Sequence, residues 1–105
     1  MTRPTNTVAD PLQDFPPLPL EATHWRAVVA ALRLSPQQAR IVELVLRGMC
    51  DKQIALTLEL SEPTIRTYLQ RIFVRTSTHG RMGLALRVLA VSHQVDHEPA
   101  CHQRG

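Results

Sequence analysis

The amino-acid sequence predicts a small all-α fold, a bundle of short helices that contains a helix-turn-helix. Aromatic residues fill only 4% of the 105 positions, whereas Leu, Val, Ile and Ala are plentiful, and this mixture favours aliphatic helix packing over a sheet. Apolar residues recur three and four positions apart along much of the chain, which is the spacing of a helix with one buried face. Serine, proline and glycine stand where these stretches begin and end, as helix boundaries require.

The first part of the chain predicts an arm followed by one additional helix. Five prolines lie within residues 1–19; they remove backbone donors and favour extended geometry, so we expect a disordered arm. Residues 20–33 predict a helix because Trp25, Val28 and Leu32 fall on one face. The pattern leaves open whether this helix caps the core or joins two subunits.

Residues 34–92 carry the signals of one helical domain. Ser35 is a favourable N-cap, Pro36 suits the first helical position, and Gln38 completes a capping box. Gly48 then ends this helix. The domain therefore begins with a helix whose two ends are both marked in the sequence.

Three further helices are predicted within this domain. A short helix over about 52–58 and a third helix that begins at Ser61 are joined by a tight connection, which is the helix-turn-helix pattern. A fourth helix over about 81–93 is apolar over much of its circumference, so it is either deeply buried or in contact with another subunit. Residues 93–105 are polar and contain Pro99, and we predict a flexible tail there.

The excess positive charge lies in the third helix and the start of the fourth. Residues 61–87 hold five arginines and one glutamate, a net charge of +4 against +3 for the whole chain, as expected where a polyanion binds. On a helical wheel, Ile65, Leu69, Ile72 and Phe73 form the inner side of the third helix. The outer side is polar and basic, and it presents Thr64, Arg66, Thr67, Gln70, Arg71 and Val74.

This outer side has the groups that a helix needs in the major groove of double-stranded DNA. Arginine and glutamine hydrogen-bond base edges, and threonine can do so more flexibly. The start of the helix, with the hydroxyl groups of Ser61 and Thr64, suits a phosphate oxygen. The residues therefore predict a helix that reads DNA.

An ordered set of residues runs through positions 34–90. Its pieces are Leu34-Ser35, Gly48, Asp51-Lys52-Gln53-Ile54-Ala55, Ser61-x-x-Thr64-Ile65-Arg66, Ile72, Arg75, Arg81 and Leu84-Ala85. In this order and spacing the chain resembles the LuxR-type (GerE-like) helix-turn-helix domain of bacterial transcription regulators, in its stand-alone form. The resemblance implies a four-helix domain that binds DNA as a homodimer. Residues 82–91 of the fourth helix would form the contact between the two subunits.

The resemblance also assigns roles to individual residues. Base-edge contacts are implied for Arg66, Thr67 and Gln70. Contacts with phosphate or sugar are implied for a second group, namely Lys52, Ser61, Thr64 and Tyr68, with Asp51 and Arg75 as further candidates. Arg71, at the margin of the outer side, completes the predicted DNA-binding set.

The chain departs from the family pattern at several positions. Gln38 stands where the family usually has Glu, Tyr68 where it often has His, and Arg71 where Asn is frequent. The run Thr76-Ser77-Thr78 replaces a Leu and a Val that usually hold the third helix to the fourth. We expect this junction to be looser, or to be packed by Trp25 and the additional helix.

Two other functions stay open on the sequence alone. One is a promoter reader similar to region 4 of sigma factors, although a chain of 105 residues shows none of the other sigma regions. The other is an interaction protein that pairs with a larger regulator through its fourth helix or its N-terminal extension. The outer side with Arg66, Thr67 and Gln70 favours DNA, because a pure adaptor would have no use for it.

Enzymatic activity, cofactors and metals are not predicted. The chain shows no catalytic constellation and no glycine-rich phosphate loop. His93, His97, Cys101 and His102 are close in sequence, but Pro99 interrupts the helix that would align them. No apolar run suggests a signal peptide or a membrane span, so we expect a cytoplasmic protein.

Overall fold

The computed structural model describes the backbone of residues 16–18 and 20–104, and the side chains of residues 16–18 and 20–94. Within these ranges the chain forms helices and no strands, which confirms the all-α prediction. None of the described helices has the length and apolar character needed to cross a membrane. The helices are α1 (Ala22–Leu32), α2 (Pro36–Leu46), α3 (Asp51–Leu58), α4 (Glu62–Thr76) and α5 (Arg81–Arg104).

The local signals for helix ends act as predicted. Ser35 Oγ accepts from the Gln38 N–H at 3.1 Å, and Gln38 Oε1 accepts from the Ser35 N–H at 3.0 Å, which completes the capping box of α2. Gly48 follows α2 with φ +94°, a left-handed conformation that glycine adopts without steric cost. Ser61 Oγ accepts from the Thr64 N–H at 3.2 Å and so caps α4.

The core lies where the helices meet. Every helix contributes buried apolar side chains to one cluster, and burial of this kind is the main favourable term for a domain of this size. The fully buried apolar residues are Val28, Ile41, Val42, Leu44, Met49, Ile54, Ile65, Ile72, Leu84 and Val88.

Helix α1 packs mainly against α5. Its Val28 and Leu32 are buried in the common core, and His24 Nε2 lies 3.0 Å from the Ser92 carbonyl oxygen. The additional helix therefore caps the core, which the sequence left undecided.

The junction between α4 and α5 is held by hydroxyl groups. Thr76 is buried, and its hydroxyl donates to the Ile72 carbonyl at 2.8 Å and lies 3.0 Å from the Thr78 hydroxyl. Ser77 takes the left-handed conformation that ends α4, with φ +59°. Because the buried threonine has its hydrogen bonds, the polar run forms a bonded turn and does not leave an unsatisfied gap.

Helix α5 is longer than the predicted helix over 81–93. Its backbone stays helical to Arg104, through the segment predicted as a tail. Pro99 removes one N–H from the helical ladder, but neighbouring residues such as Gln94, Glu98 and Ala100 are good helix formers. Residues 1–15 and 19 of the arm predicted over 1–19 and the side chains beyond residue 94 lie outside the described part, so the disordered arm and the flexible tail stay predictions.

Candidate nucleic-acid interface

Helices α3 and α4 form the helix-turn-helix. Two backbone hydrogen bonds hold the connection between them. The Glu59 N–H donates to the Leu56 carbonyl at 3.3 Å, and the Leu60 N–H donates to the Ala55 carbonyl at 2.9 Å. Glu59 is left-handed, with φ +59°, so the chain reverses within two residues before Ser61 begins α4. This tight reversal fixes the direction in which α4 leaves the core.

The two sides of α4 differ as the helical wheel predicts. On the inner side Ile65, Leu69 and Ile72 are buried, and Phe73 is half-buried against the core. The outer side is open to solvent and carries three arginines among its exposed residues, which are Arg66, Thr67, Gln70, Arg71, Val74 and Arg75. A helix of this kind can contact DNA with its basic side while its apolar side stays packed against the core of the domain.

Six of the predicted site residues line two surface grooves, and the other three lie outside them. Thr64, Thr67, Tyr68 and Arg71 line one groove along α4. Gln70, Arg71 and Arg75 line a second groove, whose other walls are Gln38 and Val74. Arg66 lies with Gln70 beside the start of α5, and the exposed residues Lys52 and Ser61 stand near the starts of α3 and α4.

Hydroxyl groups at the start of α4 are partly used within the helix. The Ser61 hydroxyl donates to Thr64 Oγ1 at 2.8 Å, which leaves the Thr64 hydroxyl proton available for an outside acceptor such as a phosphate oxygen. The Thr67 hydroxyl donates to the Pro63 carbonyl at 3.1 Å. Thr67 can therefore accept a hydrogen bond from a base while keeping this internal bond.

Two arginines of the charged segment have defined partners outside α4. Arg75 Nη1 donates to the Arg33 carbonyl at 3.1 Å, which links the end of α4 to the end of α1. Arg81 Nη1 donates to the Met49 carbonyl at 2.8 Å, and its Nη2 lies 2.5 Å from Asp51 Oδ1. Asp51, which is also a further candidate for a phosphate or sugar contact, forms this ion pair with Arg81.

Sequence reasoning missed the pairing of Arg81 with Asp51. The two residues are separated by the whole of α3 and α4, and no local pattern links positions so far apart. Arg66 also has an internal partner, Glu62 at 3.6 Å. Both side chains of that pair are exposed, so the interaction contributes little and Arg66 can leave it to meet DNA.

Comparison with known proteins agrees with this geometry. The family model described as "Bacterial regulatory proteins, luxR family" matches residues 32–88. The probable transcriptional regulator ycf29 of Cyanophora paradoxa is 32% identical over 53 residues, which is 50% of this chain and 25% of that protein. The two-component response regulator PprB of Pseudomonas aeruginosa is 32% identical over 62 residues, which is 59% of this chain and 22% of that protein.

No solved structure matches the chain, and the chain spans about a quarter of the length of the curated relatives it matches. An outward basic helix on a helix-turn-helix is the arrangement of a DNA-binding domain. The chain belongs to the luxR family of bacterial regulatory proteins. That family is one of regulatory proteins.

Proposed function

We propose that this protein regulates transcription by inserting α4 into the major groove of a specific DNA site. The observation that carries the proposal is the outer side of α4, which is exposed and basic and has no acidic residue after Glu62 in the first turn. Because phosphate attraction supplies much of the affinity for DNA, an acid-free surface of this kind is favourable. The family match supports the same conclusion, and we infer that the protein acts in the cytoplasm.

Two groups of residues divide the work in this proposal. Arg66, Thr67 and Gln70 read base edges, because their side chains project from the exposed side of α4. The remaining residues position the helix on the backbone, and they are Lys52, Ser61, Thr64, Tyr68, Arg71 and Arg75. Tyr68 is half-buried against the core and lines the groove of Thr64, Thr67 and Arg71, where a tyrosine hydroxyl can hydrogen-bond a phosphate.

The proposal includes a homodimer formed through residues 82–91. Met82, Leu86 and Leu89 are each more than half exposed on α5, and their spacing of four and three residues gives one stripe on the helix. A second copy of the chain can cover this stripe. The two recognition helices then meet half-sites about one helical turn, roughly 10 base pairs, apart.

Selection from random duplex DNA tests the proposal. The full chain is incubated with the pool at about 50 and about 200 mM salt, and a two-fold symmetric site with a steep salt dependence is expected. Arg66→Ala and Gln70→Ala should each cost about 1–3 kcal/mol of binding and relax one position per half-site. Arg26→Ala, which removes an exposed charge from α1, is the matched control and should leave the selected sequence unchanged.

A pairing protein for a larger regulator is the second candidate. The exposed stripe of Met82, Leu86 and Leu89 favours it, because the stripe can meet a related helix as well as its own copy. In that case no sequence is enriched from the pool, and binding is weak at both salt concentrations. The partner is then a protein that contacts α5 or the N-terminal extension.

A further inference from the structure

Val74 is an apolar residue in the middle of a polar surface. It is 79% exposed, more than any other large apolar side chain in the described part of the chain. Its neighbours around one groove are Gln38, Gln70, Arg71 and Arg75. Single exposed apolar residues are common on protein surfaces, but Val74 lies among the predicted DNA-binding residues, where an apolar contact can add to recognition.

The register of α4 places Val74 in line with the base-reading residues. Val74 follows Thr67 by seven residues, which is two helical turns, so the two side chains project in nearly the same direction. Gln70 and Arg71 lie one turn before Val74 and flank this line on its two sides. Val74 therefore points toward whatever Thr67 and Gln70 meet.

We propose that Val74 contacts the C5-methyl group of a thymine and thereby selects that base. This inference rests on the proposed function, since it requires α4 to lie in the major groove. The thymine methyl is the only apolar group that a base pair presents there, and apolar side chains recognise it by contact. Val74 then supplies a specificity that Arg66, Thr67 and Gln70 cannot supply by hydrogen bonding.

DNA is a better partner for the surface around Val74 than a second copy of the chain. Arg71 and Arg75 flank Val74, and a symmetric contact through this surface would bring their positive charges together. DNA presents the opposite charge to both arginines and the methyl group to the valine. Charge complementarity therefore favours DNA over a protein as the occupant.

The helix geometry also predicts where the thymine lies. Seven residues span about 10.5 Å along a helix, and one base pair occupies about 3.4 Å along DNA. With α4 along the groove, the thymine lies about three base pairs from the base contacted by Thr67. A thymine next to the Arg66 contact would not fit this distance.

Uracil substitution in the selected DNA site tests the proposal, because deoxyuridine lacks only the methyl group. Each thymine of the site is replaced in turn, and binding is measured for the full-length chain and for Val74→Ala. The unsubstituted chain should lose about four-fold affinity per half-site at one thymine, the size expected for one methyl group leaving an apolar contact. Val74→Ala should lose the same affinity on normal DNA and show no further loss with uracil at that position.

Leu56→Ala is the matched control, because Leu56 is also an exposed apolar residue, at 67%, but lies on α3. It should keep the full uracil sensitivity, and circular dichroism should show both variants folded. The proposal is overturned if Val74→Ala keeps the uracil profile of the unsubstituted chain, or if Val74→Ala changes only self-association. A symmetric site without a thymine at the predicted distance also overturns it while leaving the proposed function intact, whereas failure to enrich any site removes both.

Discussion

We expect the ion pair between Arg81 and Asp51 to stabilise the domain around the helix-turn-helix. Arg81 reaches across from the first turn of α5 and donates to the Met49 carbonyl at 2.8 Å and to Asp51 Oδ1 at 2.5 Å. It thereby joins the start of α3 to the start of α5. Removing it should loosen the frame that holds the helix-turn-helix.

The expected loss of stability in Arg81→Ala follows from its two hydrogen bonds, to Met49 and Asp51, and from their exposure to solvent. Hydrogen bonds with a charged partner contribute about 1.5–3 kcal/mol each when protected. The side chains of Arg81 and Asp51 are 37% and 29% exposed, so solvent screens part of this contribution. We expect Arg81→Ala to lower the free energy of unfolding by about 2 kcal/mol in total, of which about 1 kcal/mol is the coupling to Asp51.

Urea unfolding of four proteins measures this coupling. They are the unsubstituted chain, Arg81→Ala, Asp51→Asn and the double variant. A fifth protein, Arg87→Ala on the exposed side of α5, is the control, and its free energy of unfolding should change by no more than about 0.5 kcal/mol. Additive single changes would refute the ion pair as a stabilising link. A loss of DNA affinity in Asp51→Asn without loss of stability would show instead that Asp51 contacts DNA.

Three other predictions concern the cap, the dimer surface and the charge on α4. Ser35→Ala removes the acceptor of the 3.1 Å bond from the Gln38 N–H and should destabilise the domain by about 1 kcal/mol in urea unfolding; an unchanged midpoint would contradict the capping role. Leu86→Asp should weaken self-association in sedimentation equilibrium without unfolding the chain, and an unaltered dimer would refute the α5 stripe as the interface. Arg75→Ala should lower the slope of log affinity against log salt by about one and leave sequence preference the same. A changed preference at one base position would mean that Arg75 reads a base.

The helix boundaries could be predicted because their causes lie within a few residues. Ser35 and Gln38 bond each other across three positions, and Gly48 ends α2 through its own backbone conformation. The inner and outer sides of α4 were also predictable, since they follow from helical periodicity alone. Local chemistry thus determines which residues of α4 are available for binding.

Contacts between distant segments could not be predicted in the same way. The packing of α1 on α5 and the bond from Arg81 to Met49 depend on how the helices assemble. The last helix was predicted over about 81–93 because the residues that follow are polar and include Pro99. In the structure Pro99 lies inside the last helix, where the loss of a single N–H does not end it.

The role of each polar residue on α4 depends on bonds that a helical wheel does not show. Thr67 appears on the wheel as a free hydroxyl, but its proton is already given to the Pro63 carbonyl, so it faces DNA as an acceptor and a methyl group. Arg75 appears as a free cation, but it is anchored to the Arg33 carbonyl at the end of α1. A bond of this kind holds the guanidinium in one orientation, so the N-terminal helix helps to position a charge of the recognition helix. Changes that shift the end of α1, where the Arg33 carbonyl lies, should therefore alter DNA affinity, whereas removal of the exposed Arg26 side chain should not.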